Sequence, residues 1–189
     1  MTAETTKTVE PPPAGEEGSS SESEPPPCVD ISIEDERWRS VAEFSDLIPG
    51  LVAATLLAIQ LAPETHAVSI ALLSDAGIRS LNKAFRGKDT ATNVLSFPSV
   101  PLKNQAGPVF LGDVALAYET VAGEALEQQK PFLHHAAHLV VHGVLHLAGF
   151  GHDSDTDAER MEAAERGILG KFGIPDPYGD GALPPSASL

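Results

Sequence analysis

The stretch from Pro131 to Gly151 contains no Asp, Glu, Lys or Arg, yet together with the next residue it holds six of the seven histidines of the chain. Apolar residues surround these histidines at helical spacing, which predicts a core helix over about 132–148 that ends at Gly149. A buried helix seldom carries so many imidazoles unless something satisfies their ring nitrogens. The fold must therefore provide both a buried position for this helix and partners for its histidines.

Three of these histidines have the spacing of a metal site. His142 and His146 are four residues apart, so they lie on one helix face, one turn from each other. Gly149 can end the helix and let the chain turn back, which allows His152 to approach the same point. Three imidazoles that leave one position open for water are typical of a catalytic zinc site rather than a structural one.

The remaining histidines of this stretch are His134, His135 and His138. A single histidine in a core helix is more often hydrogen-bonded than metal-bound, so we interpret all three as structural. His138 lies one turn before His142, so it is also a candidate to support the site or to contact RNA, although the structural interpretation is favoured. For the three histidines of the proposed site, plain hydrogen bonding is the alternative, but their combined spacing favours a metal.

Two other functions fit parts of this pattern. The spacing matches a metalloprotease motif at every position but one, where Gly143 replaces the glutamate that acts as general base. A metal-assisted hydrolase other than a protease is therefore favoured. A non-catalytic protein with a structural zinc is the second alternative, and it is disfavoured because structural sites normally take four protein ligands.

The charge of the chain bears on nucleic-acid binding. The formal net charge is −15, which at first sight argues against a phosphate-rich partner. About half of this acidity lies in the two ends, 1–27 and 174–189, whereas four of the 12 basic residues fall within 79–88. They are Arg79, Lys83, Arg86 and Lys88. Charge runs are usually solvated helix faces, but Arg86 is the best candidate for a functional cation, because a guanidinium can bind phosphate through two hydrogen bonds.

Composition predicts three parts. Residues 1–27 are rich in Pro, Glu and Ser and are expected to be a disordered leader. Residues 28–173 are expected to form the domain, and 174–189 a C-terminal tail. A single cysteine, Cys28, rules out an internal disulfide framework. The start lacks the features of a secretory signal and no stretch suits a membrane span, so a cytoplasmic protein is expected.

Strands and helices alternate irregularly, which predicts the α+β class rather than a doubly wound sheet. The periodicity predicts four strands, over 29–33, 66–73, 93–97 and 109–117. It also predicts five helices: about 40–61 with a break or kink at Pro49, about 76–85 capped by Ser74 or Asp75, about 119–128, about 132–148, and a last one to about 172 capped by Thr156 or Asp157.

Three segments carry a family resemblance. HGVLHLAGFGH (142–152) resembles the H-G-x-L-H-L-x-G-Y-D-H signature of the YbeY family, metal-dependent endoribonucleases of ribosomal RNA maturation. LNKAFRGKDTATNVLSFP (81–98) and LGDVAL (111–116) are similar to two further segments of that family, in the same order. The resemblance covers about 66–172, and more loosely the chain from residue 28.

The resemblance implies an α+β domain with a small mixed sheet, packed with helices and holding a metal in a cleft. It implies one Zn²⁺ per chain, with His142, His146 and His152 as ligands, and a functional Arg86. The implied activity is single-strand-specific endoribonuclease cleavage in 16S rRNA 3′ end maturation, with roles in ribosome biogenesis and quality control. The implied partners are RNA and the small ribosomal subunit, with neither membrane nor DNA.

The chain departs from the family pattern at three positions. Gly151 stands where the family usually has Asp, just before the third histidine, and Asp153 or Asp155 are candidates to replace that carboxylate. Asn93 replaces an Asp and Ala91 a Pro. We expect these last two changes to tune activity rather than remove it.

Overall fold

The computed structural model describes residues 28–41, 43–100 and 107–179. The predicted leader, 1–27, lies outside the described residues, as do residues 180–189 of the predicted tail. The domain boundaries therefore stay a prediction.

Four strands and five α-helices make up the described part of the chain. The strands are β1 (Cys28–Ile33), β2 (His66–Leu73), β3 (Val94–Pro98) and β4 (Val109–Ala117). The helices are α1 (Phe44–Ala58), α2 (Asp75–Arg86), α3 (Tyr118–Glu127), α4 (Phe132–Leu147) and α5 (Asp155–Gly170). Short 3₁₀ helices occupy Glu36–Ser40 and Pro63–Thr65.

The strands form one mixed sheet in the order β1-β2-β4-β3. β1, β2 and β4 run parallel, and β3 pairs antiparallel with β4 at one edge. The predicted α+β class and small mixed sheet are confirmed.

Two helix starts differ from the prediction. α1 begins at Phe44, after a separate 3₁₀ helix, and it continues through Pro49, so no break occurs there. α5 is capped by Ser154, whose Oγ accepts from the Asp157 backbone N–H at 3.2 Å, rather than by Thr156 or Asp157. Ser154 has extended backbone dihedrals, as an N-cap requires. The cap of α2 is Ser74, one of the two predicted candidates.

The sheet separates two hydrophobic cores. Alternate residues of β4 point to opposite faces, so Val114 and Leu116 enter the larger core with α1, α4 and α5, while Ala115 and Ala117 enter a smaller one with α2. Ile78 of α2 fills the smaller core. The predicted histidine-rich helix, α4, therefore lies against the sheet inside the larger core.

Gly143 allows α4 to approach the sheet closely. A Cβ at this position would lie 2.5 Å from Val114 Cγ1 and 3.2 Å from Ser96 Oγ. Ser96 Oγ in turn donates to the Gly143 carbonyl at 3.1 Å, which ties α4 to β3. The absence of a side chain at Gly143 thus sets the distance between the histidine helix and the edge of the sheet.

We expect Gly143→Ala to lower the free energy of unfolding by about 1–2 kcal/mol, because overpacking against Val114 outweighs the roughly 1 kcal/mol helix preference for alanine. Gly167→Ala in α5 is the matched control, since a Cβ there meets no atom within 4 Å. This control should gain about 0.5–1 kcal/mol. Urea unfolding measures both changes, and equal stability of the two variants would contradict the packing argument.

Candidate metal centre and cleft

One cleft brings together all four predicted site residues. It has a volume of about 420 Å³ and lies between the C-terminal half of α4, the edge strand β3 and the end of α2. The residues that line it are Arg86, Asn93, Val94, Ser96, Pro98, His142, His146 and His152.

The three histidines converge because α4 ends where the sequence predicts. Gly149 has a positive φ of 86°, and the N–H groups of Gly149 and Phe150 donate to the carbonyls of His146 and Leu145, both at 3.0 Å. The chain turns back there and brings His152 to the same cleft. One ring nitrogen from each of the three histidines lies within 4.8 Å of the others. The cluster can hold a metal ion.

Hydrogen bonds define the tautomers of the two helical histidines. His142 Nδ1 donates to Glu165 Oε1 at 2.9 Å, and His146 Nδ1 donates to the Phe150 carbonyl at 2.9 Å. In the neutral rings both Nε2 atoms then carry lone pairs, the form that binds metals. Burial, and secondly the neighbouring His142, lower the pKa of His146, which favours its neutral form.

The donor set fits a small divalent cation. His142 Nε2 and His146 Nε2 are 3.0 Å apart, and two lone pairs at that distance repel unless a cation or proton lies between them. Two nitrogens bound to one tetrahedral zinc at about 2.0–2.1 Å would be separated by about 3.3 Å. The spacing of these two atoms therefore suits a shared metal.

Glu165 is the residue of the site that sequence analysis missed. Its side chain is fully buried, and its carboxylate accepts from His142 through Oε1 and from His138 Nε2 at 3.1 Å through Oε2. The hydroxyl of Tyr178 also donates to Oε2. Burial alone would raise the pKa of Glu165, but the hydrogen bonds from His138, His142 and Tyr178 lower that pKa to about 2.

A periodicity signal could have identified Glu165. It lies four residues after Met161 and three before Ile168, and all three side chains are buried on one face of α5. An acid at such an apolar position indicates a buried partner.

The proposed substitutes for the family Asp, Asp153 and Asp155, are both exposed. His138 contacts Glu165 and so supports the site, which is one of the less favoured interpretations of this residue.

The basic cluster of α2 divides into two parts. Arg79 Nε and Lys83 Nζ both bind Asp89, at 2.7 and 3.0 Å. Arg86 instead lines the cleft, where its Nη2 donates to the Ser96 carbonyl at 3.3 Å. A guanidinium has five N–H donors, so most remain available to a ligand. Arg86 therefore faces the same space as the histidines.

Asn93 is matched to its surroundings. Its Nδ2 donates to both carboxylate oxygens of Glu124, at 3.1 and 2.9 Å, and Glu124 Oε2 accepts from His135 Nε2 at 2.8 Å. An Asp at position 93 would place a second carboxylate against Glu124. The amide thus connects the cleft wall to the buried His135 without a like-charge contact.

The glutamate of the metalloprotease motif has no room in this fold. The position that would carry it is Gly143, where even a Cβ would collide with Val114. The geometry therefore disfavours the protease alternative independently of the sequence pattern.

Within 28–41, 43–100 and 107–179, no helix combines the length and apolar character that crossing a bilayer requires.

Comparison with known proteins decides the family. The family model described as Endoribonuclease YbeY matches residues 30–173. The chain belongs to the YbeY family. A relative from Azorhizobium caulinodans named Endoribonuclease YbeY is 48% identical over 157 residues, 82% of this chain and 97% of its own length. Another of the same name from Bradyrhizobium sp. is 44% identical over 160 residues, 82% of this chain and 95% of its own.

A solved structure supports the fold of this YbeY-family chain. The solution structure of TM1509 from Thermotoga maritima matches with a TM-score of 0.50 and 23% identity, over 82% of this chain and 99% of the other. This match concerns the arrangement of helices and strands alone.

We expect His146→Ala to reduce the divalent metal bound per chain to near zero, because one of the three imidazoles that converge in the cleft is lost. His66→Ala is the matched control, since His66 lies at the start of β2 and its Nδ1 contacts the Ala62 carbonyl. Elemental analysis of dialysed protein gives the metal content. Full occupancy in His146→Ala would remove this residue from the ligand set.

Proposed function

We propose that this YbeY-family protein is a zinc-dependent endoribonuclease that cleaves single-stranded RNA, that it matures the 3′ end of 16S rRNA, and that it acts in ribosome biogenesis and quality control. The observation that carries the proposal is the meeting of three histidines and Arg86 in one cleft. Its similarity to proteins named Endoribonuclease YbeY supports RNA as the substrate.

The three histidines are the proposed zinc ligands. His142 and His146 present Nε2 lone pairs because their Nδ1 protons are held by Glu165 and by the Phe150 carbonyl. His152 reaches the group from the loop after α4. When bound, zinc supplies Lewis-acid chemistry, since it polarises a phosphoryl oxygen and makes water more acidic.

Arg86 is the proposed phosphate-binding residue. It faces the histidines across the cleft, and its contact with the Ser96 carbonyl orients the guanidinium. In that position its remaining N–H groups can bind the scissile phosphate and stabilise the negative charge that develops during cleavage.

The distribution of charge suits a narrow RNA site. The chain is strongly acidic, and Arg79 and Lys83 are paired with Asp89, whereas Arg86 extends into the cleft. We therefore propose that RNA binds locally as a single strand rather than over a broad basic surface. The proposed partners are rRNA and the small ribosomal subunit in the cytoplasm, without membrane or DNA.

We expect Arg86→Ala to lower the rate of single-stranded RNA cleavage by about 10²–10³-fold, the usual loss when a donor to developing charge is removed. Its zinc content should stay unchanged, because Arg86 contacts none of the histidines. Arg79→Ala is the control and should retain cleavage, since Arg79 binds Asp89 outside the cleft. If Arg86→Ala cleaves single-stranded RNA at the wild-type rate, the role given to this residue is contradicted.

The maturation role is tested in cells depleted of the protein. We expect unprocessed 16S rRNA 3′ ends, restored by the wild-type chain but not by His142→Ala, because that variant lacks a proposed zinc ligand. Sequencing of rRNA 3′ ends measures the outcome. Normal ends in depleted cells would refute a role in maturation while leaving the nuclease activity to be judged in vitro.

A further inference from the structure

Residues 174–179 come after α5, and Tyr178 near their end contacts His138 and Glu165. We call these residues the C-terminal strap. Ile174 is buried, with 7% of its surface exposed, and the Pro177 carbonyl accepts from Lys130 Nζ at 2.6 Å. The Tyr178 N–H donates to Asp176 Oδ1 at 2.9 Å, which orders the turn before the tyrosine. The strap is therefore attached to the domain, and the position of Tyr178 is defined.

Tyr178 is directed at the carboxylate that supports His142. Its hydroxyl donates to Glu165 Oε2, and its ring packs edge-on against His138 with centroids 5.5 Å apart. Arg166 lies 5.8 Å from the centre of the same ring. The residues matched by the family model end at 173, five short of this tyrosine.

The number of donors on Glu165 explains why the hydroxyl matters. A fully buried carboxylate needs hydrogen bonds to offset its lost solvation, and Glu165 receives them from His142, His138 and Tyr178. Without the hydroxyl, Oε2 keeps a single donor, and the carboxylate can rotate about its terminal torsion. Because Oε1 orients the His142 ring, that rotation would misdirect Nε2.

We propose that Tyr178 is a positioning residue of the metal centre, acting through Glu165 on His142. The proposal rests on the proposed zinc site and extends it to the C-terminal strap. Loss of a residue that hydrogen-bonds a metal-bound histidine typically lowers the metal affinity about 10–100-fold. Tyr178 is one contact further from the metal, so a smaller effect is expected.

The test is Tyr178→Phe, which removes the hydroxyl and keeps the ring. Tyr118→Phe is the matched control, because Tyr118 packs against Trp38 and Phe132. Zinc affinity is measured by competition with a chromophoric chelator, and ligand geometry by the visible spectrum of the cobalt-substituted protein. We expect zinc to bind about three- to tenfold more weakly to Tyr178→Phe, with an altered cobalt spectrum, and Tyr118→Phe to match the wild type.

Two further variants test the route of the effect. In a Glu165→Ala background, adding Tyr178→Phe should weaken zinc binding by less than twofold, because the acceptor is already absent. Lys130→Met removes the hydrogen bond to the Pro177 carbonyl and, like Tyr178→Phe, should weaken zinc binding. This variant still tests the proposal if Tyr178→Phe or Glu165→Ala fails to fold.

If Tyr178→Phe leaves both the zinc affinity and the cobalt spectrum unchanged, the proposal is overturned. It is also overturned if Tyr178→Phe weakens zinc binding equally in the wild-type and Glu165→Ala backgrounds. These results are separable from the nuclease proposal. A wild-type protein that binds zinc and cleaves no RNA would refute the proposed function, whereas the comparison of zinc affinities would still stand.

Discussion

The contact between α4 and the sheet at Gly143 determines the geometry on which the cleft depends. Because position 143 has no side chain, Val114 of β4 packs against the helix backbone and Ser96 of β3 bonds the Gly143 carbonyl. His142 and His146 are thereby held beside the edge strand, whose other residues form the opposite cleft wall. The same contact leaves no space for a protease-type glutamate.

The buried charge of Glu165 is the second constraint. A carboxylate without solvent contact is costly unless donors surround it, and here the donors come from α4 and from the C-terminal strap. The network joins α4, α5 and residue 178 into one support for a single imidazole. The candidate metal centre therefore depends on parts of the chain that are distant in sequence.

Much of the candidate site could be predicted from local patterns. The i, i+4 spacing of His142 and His146 and the turn at Gly149 depend on helix geometry alone, and the structure brings the three histidines together as expected. The first and last residues of β2 and β4 could also be predicted, because each strand is a short apolar run bounded by turn residues. The phosphate-binding chemistry of a guanidinium and the family resemblance both indicate Arg86, and it does line the cleft.

What the sequence patterns missed depends on tertiary contacts. Glu165 lies in an acid-rich segment, and although its spacing from Met161 and Ile168 indicates a buried position, that spacing does not show that His142 and His138 are its partners. Asp89 was not recognised as the partner of Arg79 and Lys83, because those contacts form where the chain leaves α2. In each case the sequence shows the charged residue but not the side chains that fold against it.

We propose that the three histidines and Arg86 together form a metal-dependent RNA-cleaving centre. The decisive measurement removes the metal from the purified protein and titrates zinc back while single-stranded RNA cleavage is followed. Cleavage should be lost when the metal is removed, rise in proportion to added zinc, and saturate at about one zinc per chain. Cleavage that persists in metal-free protein would rule out a metal-dependent centre.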